Sequence, residues 1–249
     1  KVRHNYILGV YSLYERLIQE FPDVLFESCA SGGARFDPGM LHYAPQAWTS
    51  DDTDAVERIK IQYGTSYVYP LSSMGSHVSA SPNHQIFRST SLETRGNVAY
   101  FGTFGYELDI TKLTEKELEQ MKEQITFMKQ HRDLIQKGEF YRLESPFKGN
   151  QAAWEVVAKD GSEGLMAYFR VRQPIQGKLE RIYFSGLEET KAYEVRECFG
   201  EKTDFGVHYG DELMYVGFSV SDCSSGLVGV ARTGQGDGYS RLFHFRKVN

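Results

Sequence analysis

The sequence has few cysteines. Cys29, Cys198 and Cys223 are the only three, widely spaced and odd in number. That excludes a disulfide framework, and the lack of any C-x-x-C pair removes the usual thiolate zinc site. A reducing, cytoplasmic setting is expected. Long apolar runs are missing too, and nothing approaches the roughly twenty residues needed to cross a bilayer. No Lys/Arg-rich run occurs, and the net charge is −5, so neither nucleic acid nor an anionic membrane surface is an expected partner. The G-x-x-x-x-G-K phosphate loop is absent, which leaves nucleotide chemistry without a signal. There is no internal repeat, no low-complexity segment and no signal peptide, although K-V-R-H-N-Y does not read as a natural start.

What remains is a chain of 249 residues, 41% hydrophobic and 24% charged, long enough for one large domain or two modest ones. Aromatic residues make up 14%, which suits a sugar-binding cleft and a β-rich core equally. Composition does not separate those two.

Up to about Gly138 helical and strand-like segments alternate. H-N-Y-I-L-G-V-Y-S-L-Y-E-R-L-I-Q-E-F-P places Leu8, Tyr11, Leu17, Ile18 and Phe21 near one helical face, and Pro22 ends it. D-V-L-F-E-S-C and A-P-Q-A-W-T-S read as strands, followed by a helix D-A-V-E-R-I-K-I-Q-Y-G closed by Gly64. T-S-Y-V-Y-P reads as a third strand. A helix near S-L-E-T-R-G-N-V-A precedes Y-F-G-T-F-G-Y-E-L-D-I, the fourth. The clearest helix follows, with Thr114 and Glu117 as a capping box, Leu118, Met121, Ile125 and Met128 as its apolar stripe, and Gly138 as its stop. Such alternation implies a parallel sheet with helical cover, either half of an eight-unit barrel or a small doubly wound sheet. In both folds function sits at the carboxyl ends of the strands.

From about Phe140 the pattern changes to short runs of largely alternating character, such as Q-A-A-W-E-V-V-A-K-D-G, E-G-L-M-A-Y-F-R-V, G-D-E-L-M-Y-V-G-F-S-V and Y-S-R-L-F-H-F-R-K-V. K-D-G-S-E-G is an expected hairpin turn. Strands without helices imply an antiparallel sandwich, so two domains are expected, 1–139 and 140–249.

Three loops after predicted strands concentrate polar residues. The first, E-S-C-A-S-G-G-A-R-F-D-P-G, holds Cys29, Gly32, Gly33, Arg35 and Asp37. Paired glycines allow positive φ or a close backbone approach, and the Arg35 fork suits a carboxylate, so it could keep a nearby aspartate ionised. Cys29 is equally a small buried filler, and no histidine is supplied to activate it as a nucleophile. The second loop, W-T-S-D-D-T-D-A, crowds Asp51, Asp52 and Asp54 beside Trp48. Either these aspartates cap a helix and shape a turn, or one is a carboxyl tuned by its neighbours to deliver a proton. Trp48 offers a flat apolar face. The third loop, S-S-M-G-S-H-V-S-A-S-P-N-H-Q, holds His77 and His84, whose spacing of seven does not match a helical metal pair, so no metal site and no cofactor are expected.

With L-F-E-S-C-A-S-G-G-A-R-F-D-P-G-M, Q-A-W-T-S-D-D-T-D-A-V-E-R-I-K-I-Q-Y-G-T-S-Y-V-Y-P and S-S-M-G-S-H-V-S-A-S-P-N-H-Q in this order, the chain resembles bacterial α-galactosidases of glycoside hydrolase family 36. The resemblance is densest over residues 26–83. It implies a retaining hydrolase that releases terminal α-linked galactose from raffinose- and melibiose-type oligosaccharides in the bacterial cytoplasm. The implied fold is α/β, the second half of a (β/α)8 barrel followed by an antiparallel β-sandwich. The family's acid/base falls on Asp51, or on Asp52 if the D-T dipeptide sets the alignment. Its C-x-x-G contact to the sugar falls on Cys29 and Gly32, with Trp48 walling the cleft and Arg35 in support.

Retaining hydrolysis needs two carboxyl groups roughly 5 Å apart. The family's nucleophile motif, K-W-D-x-N, does not occur here, nor does its N-terminal supersandwich. The expectation is therefore a fragment, inactive alone, whose partner is the rest of the same enzyme, in a homo-oligomer. It should carry a larger exposed apolar patch than monomers usually do. Other readings of the same residues are a carbohydrate-binding or assembly segment without chemistry, or a relative that transfers galactose or acts on N-acetylgalactosamine.

Overall fold

A computed structural model describes residues 1–174, 181–199, 204–220 and 236–248. The order of elements is α1 (Val2–Glu20), β1 (Glu27–Ser28), α2 (Pro38–Tyr43), β2 (Gln46–Trp48), α3 (Ala55–Thr65), β3 (Met74–Ser79), α4 (Leu92–Ala99), β4 (Thr103–Glu107) and α5 (Glu115–Lys137). Strands β1 to β4 form one parallel sheet in sequential order. Its two faces differ. Met74, Ser76 and Val78 of β3 face the helices, where Ser76 Oγ donates to Gln62 on α3 and Val78 packs on Leu92 and Ala99 of α4. His77 points to the opposite face, over Gly105 of β4 and the Trp48 ring of β2.

The third strand is not T-S-Y-V-Y-P. Thr65 ends α3, and Tyr67 and Val68 stand in an exposed turn, 63% and 70% accessible. The strand is M-G-S-H-V-S, which puts His77 on β3 rather than in a loop. The aromatic, β-branched run has strand propensity, but Gly75 and the small serines are what two-sided packing admits. Helix α2 also went unanticipated, although Asp37 caps it by accepting from Gly39 and Met40 N–H groups and Pro38 opens it.

Helix α1 buries no residue completely. Its half-buried positions are Ile7, Val10, Tyr11, Tyr14, Leu17 and Ile18, so Leu8 and Phe21, both 50% exposed, lie off the contact face. Tyr11 donates to Asp37 Oδ1 at 2.5 Å and stacks near Tyr43, which ties α1 to α2. Exposed apolar side chains gather here, with Val2, Leu13, Val24 and Leu25 all at least half accessible. On α5 the capping box forms as expected, and burial falls on Gln124, Phe127, Met128, Leu134 and Ile135. Met121 and Ile125 are only half-buried. Gly138 ends this helix with an ordinary φ of −73°, and a Cβ there would meet Leu134 O at 2.6 Å and Val156 Cγ2 at 2.7 Å. Close packing, not a left-handed turn, requires glycine at this stop.

Antiparallel structure begins at β5 (Glu139–Glu144), followed by β6 (Gln151–Val157), β7 (Glu163–Arg170), β8 (Arg181–Ile182), β9 (Ala192–Glu197), β10 (Asp204–Tyr209), β11 (Phe218–Ser219) and β12 (Tyr239–Val248). Six strands pair in the order β10-β9-β12-β7-β6-β5, and β8 pairs with β11. The K-D-G-S turn between β6 and β7 forms, with Gly161 at φ +65°. Strands β5 and β10 went unanticipated. G-D-E-L-M-Y-V is a helical turn over Glu212–Val216 rather than a strand, and only Phe218–Ser219 pair.

Strands β6 and β7 are buried almost end to end because the sheet is covered on both faces. Ala152, Trp154, Val156, Leu165, Ala167 and Phe169 pack against Ile59, Val98, Tyr100, Phe101 and Phe127 of the helical layer. The alternate residues Ala153, Val157, Met166 and Tyr168 pack against Ile182, Phe184, Leu213 and Phe218. Between the helices and the sheet, buried Asn97 Nδ2 on α4 donates to Ser240 Oγ on β12, which donates to Thr94 Oγ1, both at 3.0 Å.

Candidate active site

The carboxyl ends of β1 and β2 are bound backbone to backbone. Gly33 N–H donates to Thr49 O at 3.1 Å across the two, and within the first loop Ala30 N–H donates to Gly32 O at 2.8 Å. Gly32 has φ +72°, and a Cβ on it would lie 2.5 Å from Ser50 Cα and 3.0 Å from Asp51 N. Both reasons for glycine apply at once. Cys29, Gly32, Trp48, Asp51 and Asp52 thus come together at one end of the sheet.

The three crowded aspartates have separate fates. Asp54 is the helix cap: its buried side chain accepts from Val56 and Glu57 N–H groups and pairs with Arg88. Asp52 is half-buried and shapes the turn, its Oδ1 accepting from Asp54 N–H at 3.0 Å while its own N–H donates to Ser50 Oγ at 3.1 Å. Asp51 is exposed, and among the described residues its carboxylate makes no hydrogen bond or ion pair. Only this one of the three is free for chemistry.

Two expectations need correction. Arg35 does not hold an aspartate; it donates to Cys29 O at 2.8 Å and to Tyr6 Oη at 2.7 Å, fastening the first loop to α1. Trp48 does not offer an open face, being only 9% exposed. Its ring stacks on His77 with centroids 4.6 Å apart, and the Arg58 guanidinium lies 4.6 Å from its centroid. Arg58, from α3, donates to Ser50 O and Gly75 O at 3.1 and 2.6 Å, which locks the second loop to β3. Burial pushes its guanidinium down to about 10, opposed by the Asp52 and Glu107 charges, so it stays protonated at neutral pH.

The third loop adds a further anchor. Asn83 is buried, donating from Nδ2 to Thr53 Oγ1 at 3.1 Å while its Oδ1 accepts from Gln85 and Ile86. His77 Nδ1 lies 3.5 Å from Glu107 Oε2 on β4. His84 is exposed and lies in the loop beyond the end of β3, apart from His77 on the strand. Sequence reasoning missed Arg58, Glu107 and the strand placement of His77. The visible hint was Arg58 four residues after the Asp54 cap, inside an otherwise buried helical face.

Two family models cover most of the chain. Residues 1–138 match Melibiase, and residues 151–245 match the glycosyl hydrolase family 36 C-terminal domain. The chain belongs to the melibiase family, glycosyl hydrolase family 36. Among melibiase relatives, alpha-galactosidase AgaA of Geobacillus stearothermophilus is 55% identical over 225 residues, 90% of this chain and 30% of that protein. Alpha-galactosidase Mel36A of Lactobacillus acidophilus is 42% identical over 249 residues, 99% of this chain and 31% of that protein. A crystal structure of an AgaA variant in complex with raffinose matches with a TM-score of 0.86 at 51% identity, covering 98% of this chain and 32% of that one. The chain therefore spans about 30% of the length of the curated relatives it matches.

Proposed function

We propose that this chain contributes the acid/base half of a retaining α-galactosidase site, with Asp51 as the acid/base. In the first step a protonated Asp51 gives its hydrogen to the glycosidic oxygen as the bond to the galactose anomeric carbon breaks and a carboxylate nucleophile attacks that carbon. In the second step Asp51, now ionised, takes a proton from the water that displaces the nucleophile. The nucleophile comes from polypeptide outside these residues. The observation that carries the reading is the free, exposed carboxyl of Asp51 on a backbone fixed by Gly32, between two aspartates already committed to a turn and a cap. Cys29 and Gly32 border the sugar, Asp52 shapes the turn, and Trp48, buttressed by His77 and Arg58, positions the strand end. Substrates are galactose-terminated oligosaccharides of the raffinose and melibiose type, a reading supported by variants of one relative, AgaA, crystallised with raffinose and with stachyose.

In this proposal the parallel sheet is the second half of a (β/α)8 barrel, domain 1–139, and residues 140–249 form a β-sandwich domain. Sequential strand order, helices on one face and a polar opposite face support a barrel over a doubly wound sheet. A groove of about 540 Å³ along the open edge of β4, lined by Thr103, Gly105, Ile125, Met128 and Arg132, supports it further. The rest of the enzyme would complete that edge. The exposed apolar side chains of α1 fit cover by that polypeptide or by another subunit of a homo-oligomer, and the free thiols of Cys29 and Cys198 fit a cytoplasmic enzyme.

The test is Asp51→Asn in the full-length enzyme. Turnover of raffinose, whose leaving group needs a proton, should fall by about 10²–10⁴-fold. Glycosylation by activated aryl galactosides should fall far less. Equal loss on both substrates would remove Asp51 from the acid role.

A further inference from the structure

Away from the strand ends, three side chains of ligand type converge from three separate elements. His131 on α5, Glu163 at the start of β7 and His244 on β12 each present a donor atom within 4.8 Å of the others, and all three are half-buried. His244 Nε2 lies 2.9 Å from Glu163 Oε2, and the His131 and His244 ring centroids are 5.1 Å apart. We propose that these three residues bind one divalent transition-metal ion of the zinc class, joining helix α5 to the antiparallel sheet.

The donor set suits that ion. Two imidazoles and one carboxylate are preferred zinc ligands, with a fourth position left for water. Tetrahedral coordination with bonds of about 2.0–2.1 Å places donor atoms roughly 3.3 Å apart. Closing the His131 donor by up to about 1.5 Å, with a slight opening of the 2.9 Å His244–Glu163 pair, completes the shell. The backbone already sets the arrangement. On β7 and β12 His244 stands opposite Leu165, so Glu163 lies diagonally across on the same face. Helix α5 lies over that face, with Phe127 packed 4.4 Å from the His131 ring. Among the described residues the His131 ring makes no hydrogen bond, and a half-buried imidazole without a partner is a cost that a metal bond would remove. Two cations oppose the ion. Arg246 stands opposite Glu163 and Arg196 opposite His244, both are exposed, and Arg196 is engaged by Glu194. With three protein ligands and these arginines nearby, binding in the micromolar range is expected.

The experiment uses full-length protein without a histidine tag, stripped by a chelator and titrated with zinc chloride by calorimetry, with melting followed in parallel. One zinc equivalent should bind and raise the melting temperature. His131→Ala and His244→Ala should each weaken that equivalent at least ten-fold. His208→Ala, which alters a His–Glu pair with no third ligand among the described residues, should leave it unchanged. If either alanine variant is misfolded by circular dichroism, His131→Gln and Glu163→Gln carry the same expectation. A titration without zinc uptake, or one undiminished in the folded variants, overturns the proposal and leaves a plain His–Glu ion pair.

Discussion

The backbone of Gly32 rests against that of Ser50 so closely that a methyl group on Gly32 would sit 2.5 Å from the Ser50 Cα. This contact sets where the next residue, Asp51, begins. Gly32→Ala adds a left-handed strain to a steric clash, together about 2–4 kcal/mol. The loop would relieve it by moving. In the full-length enzyme we expect galactoside turnover to fall by about 10–100-fold with a lowered melting temperature. Unchanged kinetics would show that the contact does not position Asp51.

Asp54 and Asp51 should behave as opposites. Asp54→Ala removes a helix cap and leaves the partly exposed Arg88 only the Glu57 carboxylate, 3.6 Å away, so a loss of about 1–2 kcal/mol is expected in denaturant unfolding. Asp51→Ala should leave stability within about 0.5 kcal/mol, because its exposed carboxylate makes no hydrogen bond or ion pair among the described residues. A stability loss at Asp51 equal to that at Asp54 would contradict the division of roles.

Glu155 lies on the inner face of β6 with its carboxyl fully enclosed, accepting one N–H from Ser185 at 2.5 Å. Burial pushes its pKa well above the ordinary 4.5, and the Ser185 bond opposes that only in part. The folded state therefore keeps a proton that the unfolded state releases, and stability falls as pH rises from about 4.5 to the raised value. Glu155→Gln should flatten that slope and stabilise the protein at neutral pH relative to the native residue. A parallel pH–stability curve for the two proteins would show that Glu155 is ionised in the fold.

The second loop was legible because its residues act near their neighbours in sequence. A cap at Asp54 and a turn at Asp52 follow from local hydrogen bonding, and the free carboxyl is what remains. The third strand was illegible for the opposite reason. T-S-Y-V-Y-P has the composition of a strand, yet M-G-S-H-V-S is placed there by Trp48 stacking above and α4 packing below. Trp48 itself read as an open platform because nothing in the sequence brings Arg58 and His77 to it. The cluster of His131, Glu163 and His244 spans elements 113 residues apart in the chain, beyond any spacing rule.

The shared packing of Trp154, Ala167 and Leu242 with Ile59, Val98 and Phe127 has a practical result for anyone shortening the protein. Cutting after Gly138 would not release a self-sufficient catalytic module, since it would leave the backs of α3, α4 and α5 bare and greasy. The C-terminal strands act as the wall on which the helices behind the parallel sheet are mounted. Damage to that wall should reach Asp51 without any residue near it being altered.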